Sequence, residues 1–533
     1  MLATVTTPFY QILRSWIYDG ELLDPFSEFF VVLIDPETKL EVDSRRVATS
    51  IWEDKYRLEP SLVPSIITPD FANKIFLIGK SLNFIRHNCS DSDWVIDYSR
   101  QHSKPVDHSN TSALLTSIDT AYQSTMSRLT YLLYHKFHLR MHLLALKKYL
   151  LLAQGDFINL LVESLAPNLD RPAHSQYRHT LTSQLEHAIR HSNAQFDDAE
   201  VLSRLDARMI ELTRGDTGWD CFTLEYKISP PCDVIITQWA STQYLKIFNV
   251  MLRVKRVEYS LNQTWRRTMT GARGVLADVS PELSDDWKRA RCSIAEMVHF
   301  VNQLQYYILF EVVEASWEKL QVAMDKEDAT LDDLIQGHTD YINTIVQKGL
   351  LASSAEQADG FLVQLHGLLK GMLAYRDVVE SLYSYCVGVE SQKRAYTAQI
   401  ERRTAQGKWG VTDQDAVSRT STPVTGGRSD RWPSAADSHD EMPAMLLSSS
   451  AGDDQVLLAG LRKRMQDLSQ DWRSRMNNFL YDLAHQPDVD LRFLGVVMNF
   501  NEAYEPSNPR RLRRRERGPI PVDRDRDETA SQG

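Results

Sequence analysis

Three stretches without a single glycine or proline decide most of what this chain can become. Neither residue occurs between Pro105 and Gly155, between Pro231 and Gly271, or between Pro281 and Gly337. Strands average only about five or six residues and are punctuated by turn formers, so uninterrupted runs of this length read as helices or helix pairs. Within "CSIAEMVHFVNQLQYYILFEVVEASWEKL", Ile294, Met297, Val298, Val301, Leu304 and Ile308 step by three and four and draw one apolar stripe. In "QYLKIFNVMLRVKRVEYSL" the same spacing sets Leu245, Phe248, Leu252 and Tyr259 on one side, with Arg253 and Arg256 on another.

One region breaks the pattern. "WDCFTLEYKISPPCDVIIT", Trp219 to Thr237, holds two short runs rich in aromatic and β-branched residues, Phe222 to Ile228 and Val234 to Thr237, on either side of a Pro-Pro pair. The expected fold is therefore all-α: elongated stacked helical bundles with one small β-hairpin near residues 219–237. Residues 1–104 are turn-rich, with short helices at Pro8 to Trp16 and Asp70 to Asn88, and residues 112–400 read as continuous helix. Residues 404–452 are dense in Ser, Thr, Gly, Pro and Asp with no apolar period, which predicts a disordered insertion. Helix is expected again from Asp453 to about His485, and a charged tail that cannot form a core occupies 506–533.

Composition narrows the partners. A 533-residue chain with 43% apolar residues can fill large cores. Its net charge of −11 gives no general attraction to nucleic acid or anionic lipid. The start "MLATVTTPFYQILRSW" lacks the basic and apolar regions of a secretory signal, and no apolar run approaches the ~20 residues that span a bilayer. Five cysteines, Cys89, Cys221, Cys232, Cys292 and Cys386, are odd in number and widely spaced, as expected of reduced thiols in the cytoplasm. These features point to a protein with neither a nucleic-acid nor a membrane partner.

Several motifs imitate chemistry. Asp216-Thr217-Gly218 is the tripeptide with which aspartic proteases present a carboxylate, but two such loops must face each other so that two carboxylates share a proton. This chain has one, preceded by charged residues instead of an apolar strand. The expected role is a tight turn, with Gly215 and Gly218 allowing positive φ. Gly79-Lys80-Ser81 ends like a phosphate-binding loop, yet Lys74 stands where the first glycine is required. His135, His138 and His142 are spaced as metal ligands on one helix, but Lys136, Arg140, Lys147 and Lys148 beside them suggest a solvated polar face. Six arginines between Arg510 and Arg517 specify no partner. No catalytic residue, metal ligand or cofactor is assigned. A structural scaffold and an adaptor for an unrelated partner both stay open on these grounds.

A longer set of segments carries a resemblance. "WIYDGELLDPFSEFF" (Trp16 to Phe30), "PSIITPDFANKIFLIGKSLNFIRHNC" (Pro64 to Cys89), "YLLLAQGDFINLLVESL" (Tyr149 to Leu165), "SNAQFDD" (Ser192 to Asp198), "GDTGWDCFTLEY" (Gly215 to Tyr226) and "LRFLGVVMNFNEAY" (Leu491 to Tyr504) occur in the order found in the gamma-tubulin complex proteins. The chain resembles that family over about residues 8–505. Gly79 to Phe84 and Gly407 to Thr412 favour its third-component branch over its second. The resemblance implies a non-enzymatic subunit that holds gamma-tubulin, assembles beside other components such as the second component, and helps a ring template microtubules at centrosomes and spindle poles. It implies that residues 1–145 are the last part of an N-terminal helical-bundle domain, the chain starting late in that domain. Residues 146–505 are then the gamma-tubulin-binding domain. Candidate contacts are the polar loops, Asn193, Gln195, Asp197, Asp216 and Trp219, with the basic positions Arg253 and Arg256, which could supply charge-assisted hydrogen bonds to an acidic partner. Phe196 and Trp219 could equally be core anchors.

Overall fold

A computed structural model describes residues 2–34, 52, 55–64, 67–102, 111–210, 217–271, 281–326, 330–351, 360–405 and 451–505. Of the insertion expected at 404–452, residues 404–405 and 451–452 are helical, while 406–450, Gly407 to Thr412 among them, and the tail from residue 506 lie outside the described residues. The described chain is helical with two small two-stranded antiparallel sheets, as the glycine-free stretches require. It divides into two compact units, one built from residues 1–256 and 306–353 and the other from 257–305 and 354–533.

The first unit opens with helix α1 (Leu2–Tyr18), then strands β1 (Val31–Leu33) and β2 (Tyr56–Leu58), which pair antiparallel with Val31 opposite Leu58. Helices α2 (Pro69–His87), α3 (Ser92–His102) and α4 (Thr111–Tyr131) follow. The Trp16 indole donates to the Ile75 carbonyl at 2.9 Å, and its ring lies on Gly79, where a Cβ would come within 2.0 Å of it. That close approach is why α2 carries glycine at this position. α4 runs into a π-helical turn at Leu132–Lys136, and His138 in the left-handed conformation (φ 47°) then ends the helix before α5 (Leu139–Ala145). A second π-helical turn covers Leu146–Leu150.

α6 (Gly155–Leu169), α7 (Arg178–Arg190), the short α8 (Ala199–Ser203), strand β3 (Leu205–Met209), the one-turn α9 (Gly218–Cys221) and strand β4 (Phe222–Tyr226) come next. α10 (Gln238–Gly271) and α11 (Pro281–Tyr306) each contribute to both units. The chain returns to the first unit through a π-helical stretch at Tyr307–Glu314, α12 (Ala315–Met324) and α13 (Leu331–Lys348). α13 begins in a capping box between Thr330 and Asp333 and buries Leu331, Leu334, His338, Tyr341, Ile342 and Ile345, one face at helical spacing.

The returning segment is fastened by one device used twice. Lys80, almost fully buried, places its ammonium 4.0 Å from the Trp52 ring centre and 3.6 Å from Asp332 at the start of α13. The Trp52 indole donates to the same carboxylate at 2.7 Å. Lys147, equally buried, lies 4.9 Å from the Trp317 ring centre and 2.6 Å from Glu314. In each, an aromatic face and a carboxylate replace the water that a buried ammonium loses.

The second unit adds α14 (Phe361–Ala405), α15 (Ala451–Ala484) and α16 (Val489–Met498). The Trp472 ring is enclosed and meets Phe300 edge-on, Arg462 pairs with Asp286 at 2.6 Å, and Arg473 pairs with Glu296 at 2.6 Å. The expected stripe on α11 is where the sequence put it. Ile294, Met297, Val301 and Leu304 are buried, as is Ile308 beyond its end, with Val298 half-buried at the edge.

Four expectations need correction. Phe222–Tyr226 is a strand, but its partner is Leu205–Met209, with Leu205 opposite Tyr226 and Met209 opposite Phe222. Val234 to Thr237 does not form a strand, because Cys232–Val234 closes a 3-10 turn leading into α10. Residues 112–400 are not one helical run, since both strands of this second sheet and the break at His138 interrupt them. The basic stretch around His135 to Lys148 is not simply a solvated face. His142 and Lys147 point inward, and the His142 ring bonds the Tyr226 hydroxyl at 2.7 Å.

Candidate functional site

The two polar loops expected to meet a partner are held at opposite ends of α6. At its start, the carboxylate of Asp156 accepts from the backbone amide of Asn193 at 2.8 Å. Ser192 caps the following turn, its hydroxyl accepting from the Ala194 amide. Asp197 closes the loop from the other side. It accepts from the Lys148 ammonium at 2.7 and 2.9 Å and from the Tyr149 hydroxyl at 2.8 Å. Asp197 thus fastens the loop to the π-helical turn. The side chains left outward are Asn193, Gln195 and Phe196, and Phe196 is 80% exposed. The alternative that Phe196 anchors a core is excluded.

At the far end of α6, Gly218 packs on the backbone of Leu169, so close that a Cβ would stand 2.9 Å from its Cα. Close approach, not positive φ, is what requires glycine here, and Gly218 is not among the positive-φ residues. Thr217 and Asp220 form a reciprocal capping box on α9. Trp219 is 3% exposed, and its indole donates to Asp170 at 2.8 Å. The Arg256 guanidinium sits 5.4 Å from the Trp219 ring centre and 4.0 Å from Asp170, while Arg253 lies 3.7 Å from Asp220. Asp216 and Gly215 lie outside the described residues.

The fold therefore brings Trp219, Arg253 and Arg256 together and keeps Asn193, Gln195 and Asp197 apart from them. Asp156 and Asp170 are separated by the length of α6, about 20 Å at helical rise. The candidates make two patches, not one. Their organising partners, Asp156, Asp170, Lys148 and Tyr149, lie 37 to 49 residues away in the chain. No local pattern marks those partners, which is why sequence reasoning missed them.

The described parts of the catalytic look-alikes are spent on architecture. Lys80 is enclosed by Trp52 and Asp332, and Thr217 and Asp220 cap a helix. Burial pulls the His142 imidazole below its usual range. Burial also pushes the Cys89 and Cys232 thiols up to about 12, so neither is a thiolate at neutral pH. Among the described residues no group of His, Cys, Asp and Glu side chains is placed to hold a metal ion.

A helical scaffold, with its distinctive polar side chains engaged in holding one element to another, is the class of protein this arrangement defines. Residues 139–504 match the gamma-tubulin complex component C-terminal family and residues 1–136 the gamma-tubulin complex component N-terminal family. The chain belongs to the gamma-tubulin complex component family, whose members are structural subunits and not enzymes. It is 39% identical to the spindle pole body component alp6 of Schizosaccharomyces pombe over 95% of this chain and 54% of that protein. It is 34% identical to human gamma-tubulin complex component 3 over 96% of this chain and 52% of that protein. Mouse gamma-tubulin complex component 2 is 26% identical over 65% of this chain. The chain spans about half the length of these two curated relatives.

Proposed function

We propose that the chain binds gamma-tubulin and assembles beside other complex components, the second component and its relatives among them, as a subunit that helps to template microtubules at spindle poles and other microtubule-organising centres. The observation that carries this reading is the family match over residues 139–504. The names of relatives in two yeasts and a slime mould, all spindle pole body components, support the location. In this reading residues 1–145 belong to the N-terminal bundle domain and 146–505 make the gamma-tubulin contact. Of the seven candidate residues, Asn193 and Gln195 are the best placed to touch a partner, with the exposed Phe196 beside them. Asp197, Trp219, Arg253 and Arg256 each have intramolecular partners and act by shaping the two patches.

The test is co-elution of purified gamma-tubulin with the full chain. Gln195→Ala combined with Phe196→Ala should weaken the complex at least several-fold while leaving the melting temperature unchanged, because both side chains are outward. Absence of any gamma-tubulin complex would favour the alternative of a helical adaptor for a different partner. An unweakened complex from the double variant would move the contact off this loop.

A further inference from the structure

Helix α16 has two apolar faces, and only one of them is buried. Leu491, Leu494 and Met498 are enclosed where the helix lies against the end of α15, with Gly495 facing Leu483. On the other side Val489, Phe493, Val496 and Phe500 recur at intervals of four, three and four, the last on the turn that closes the helix. They are 66%, 59%, 64% and 80% exposed. Single exposed apolar residues need no explanation, but a continuous stripe with two phenylalanines marks a contact surface. Beyond it the chain is turned back on itself. The Asn499 side chain donates to the Tyr504 carbonyl at 2.9 Å and accepts from the Tyr504 amide at 3.0 Å, with Glu502 left-handed (φ 49°) inside the turn. The described residues end at Glu505, so residues 506–533 set out from beside the stripe.

We propose that the stripe on α16 is covered by the chain's own segment Gly518-Pro519-Ile520-Pro521-Val522, held there by the arginines that precede it. The 14 residues from Pro506 to Pro519 can span up to about 45 Å, and the stripe from Val489 to Phe500 is only about 17 Å long, so the segment reaches any part of it. Two prolines flanking Ile520 favour an extended form that loses little entropy on docking, and extended proline-containing segments sit well on aromatic rings. Charge agrees with this occupant. Between Asp488 and Glu505 stand four carboxylates, Asp488, Asp490, Glu502 and Glu505, against the single cation Arg492, while Arg510 to Arg517 holds six arginines and one glutamate. The other apolar run outside the described residues, Met442 to Leu447, cannot serve. It rejoins the structure at Ala451, about 50 Å at helical rise from the end of α15 where α16 packs, and the four positions after Leu447 span no more than about 14 Å. A second copy is the weaker occupant, because four side chains fall far short of the roughly 20 residues a side of a stable dimer. The tail, tethered beside the stripe, meets it at an effective concentration on the order of millimolar. This inference is independent of the proposed gamma-tubulin contact.

The experiment places the photoreactive residue p-benzoylphenylalanine at position 520 of the full chain and maps its crosslinks by mass spectrometry. Most should fall within residues 489–500 of the same chain. Phe493→Ser should lower their yield at least 5-fold while melting with the parent, because its ring is outward. Should that variant fail to fold, Val496→Ser makes the same comparison. Changing the six arginines to Gln should lower the yield several-fold. Crosslinks that miss the stripe, or a yield that neither the stripe variant nor the arginine change lowers, would overturn the proposal and leave the stripe to a partner protein. Crosslinks from position 520 to the stripe of another molecule, recognised by mixing isotope-labelled and unlabelled chains, would overturn it in favour of a second copy.

Discussion

Lys80 shows how far a residue's role can lie from its motif. In sequence it ends a phosphate-binding pattern, and in the fold it is the buried cation of a Trp52–Asp332 clamp, directly after the glycine that admits Trp16. Replacing Lys80 by Ala removes the stem packing and the cation, and Asp332 stays half-exposed and solvated, which limits the loss. We expect Lys80→Ala to destabilise the chain by about 1–3 kcal/mol with nucleotide binding at background before and after. Equilibrium urea unfolding and a filter-binding measurement with labelled ATP check both halves. A saturable ATP signal lost in the variant would restore the nucleotide reading. Gly79→Ala should cost at least as much, because the Trp16 ring has nowhere to go.

Among the elements, the buried face of α13 reaches residues 94 and 103 positions away in the chain. His338 Nδ1 lies 3.2 Å from the Ile235 carbonyl, which can only accept, so the proton is on Nδ1 and Nε2 accepts from the Tyr244 hydroxyl at 3.1 Å. Burial brings the imidazole down to about 4, the bond to the Ile235 carbonyl opposing. The folded state therefore resists a proton that the unfolded chain takes up near pH 6.5. The stability contributed by neutral His338 is complete above that value and is lost as pH falls from about 6.5 to 4, by roughly 3 kcal/mol. Unfolding free energies of the parent and His338→Gln, measured at several pH values, should converge over that window. A difference that stays constant with pH would refute the neutral buried histidine.

On the scale of the whole molecule the balance of charge sets what the surface avoids. With 60 basic and 71 acidic residues the net charge offers a duplex or an anionic bilayer no general attraction, and no described helix is long and apolar enough to cross a membrane. At physiological salt the full chain should run unshifted with random duplex DNA and should not float with vesicles of mixed neutral and anionic lipid. Retention by either would show that the arginine-rich run from Arg510 outweighs the acidic remainder.

What the sequence determined by itself is what short-range chemistry encodes. Helices follow from runs free of glycine and proline and from apolar residues every three or four positions, so α10, α11 and α15 stand close to where the spacing put them. Order among whole segments carried the family, because many weak local agreements in one sequence order are hard to satisfy otherwise. The tertiary structure alone decided the pairing of Phe222–Tyr226 with Leu205–Met209. β-branched content marks a strand but says nothing of its partner, and a Pro-Pro pair fits a 3-10 turn as well as a hairpin. It alone separated the candidate loops to the two ends of α6, and it alone turned Phe196 outward and Trp219 inward. Both are aromatic residues in polar loops. Which of them finds a carboxylate and a guanidinium depends on Asp170 and Arg256, brought beside Trp219 by packing over distances that no local pattern records.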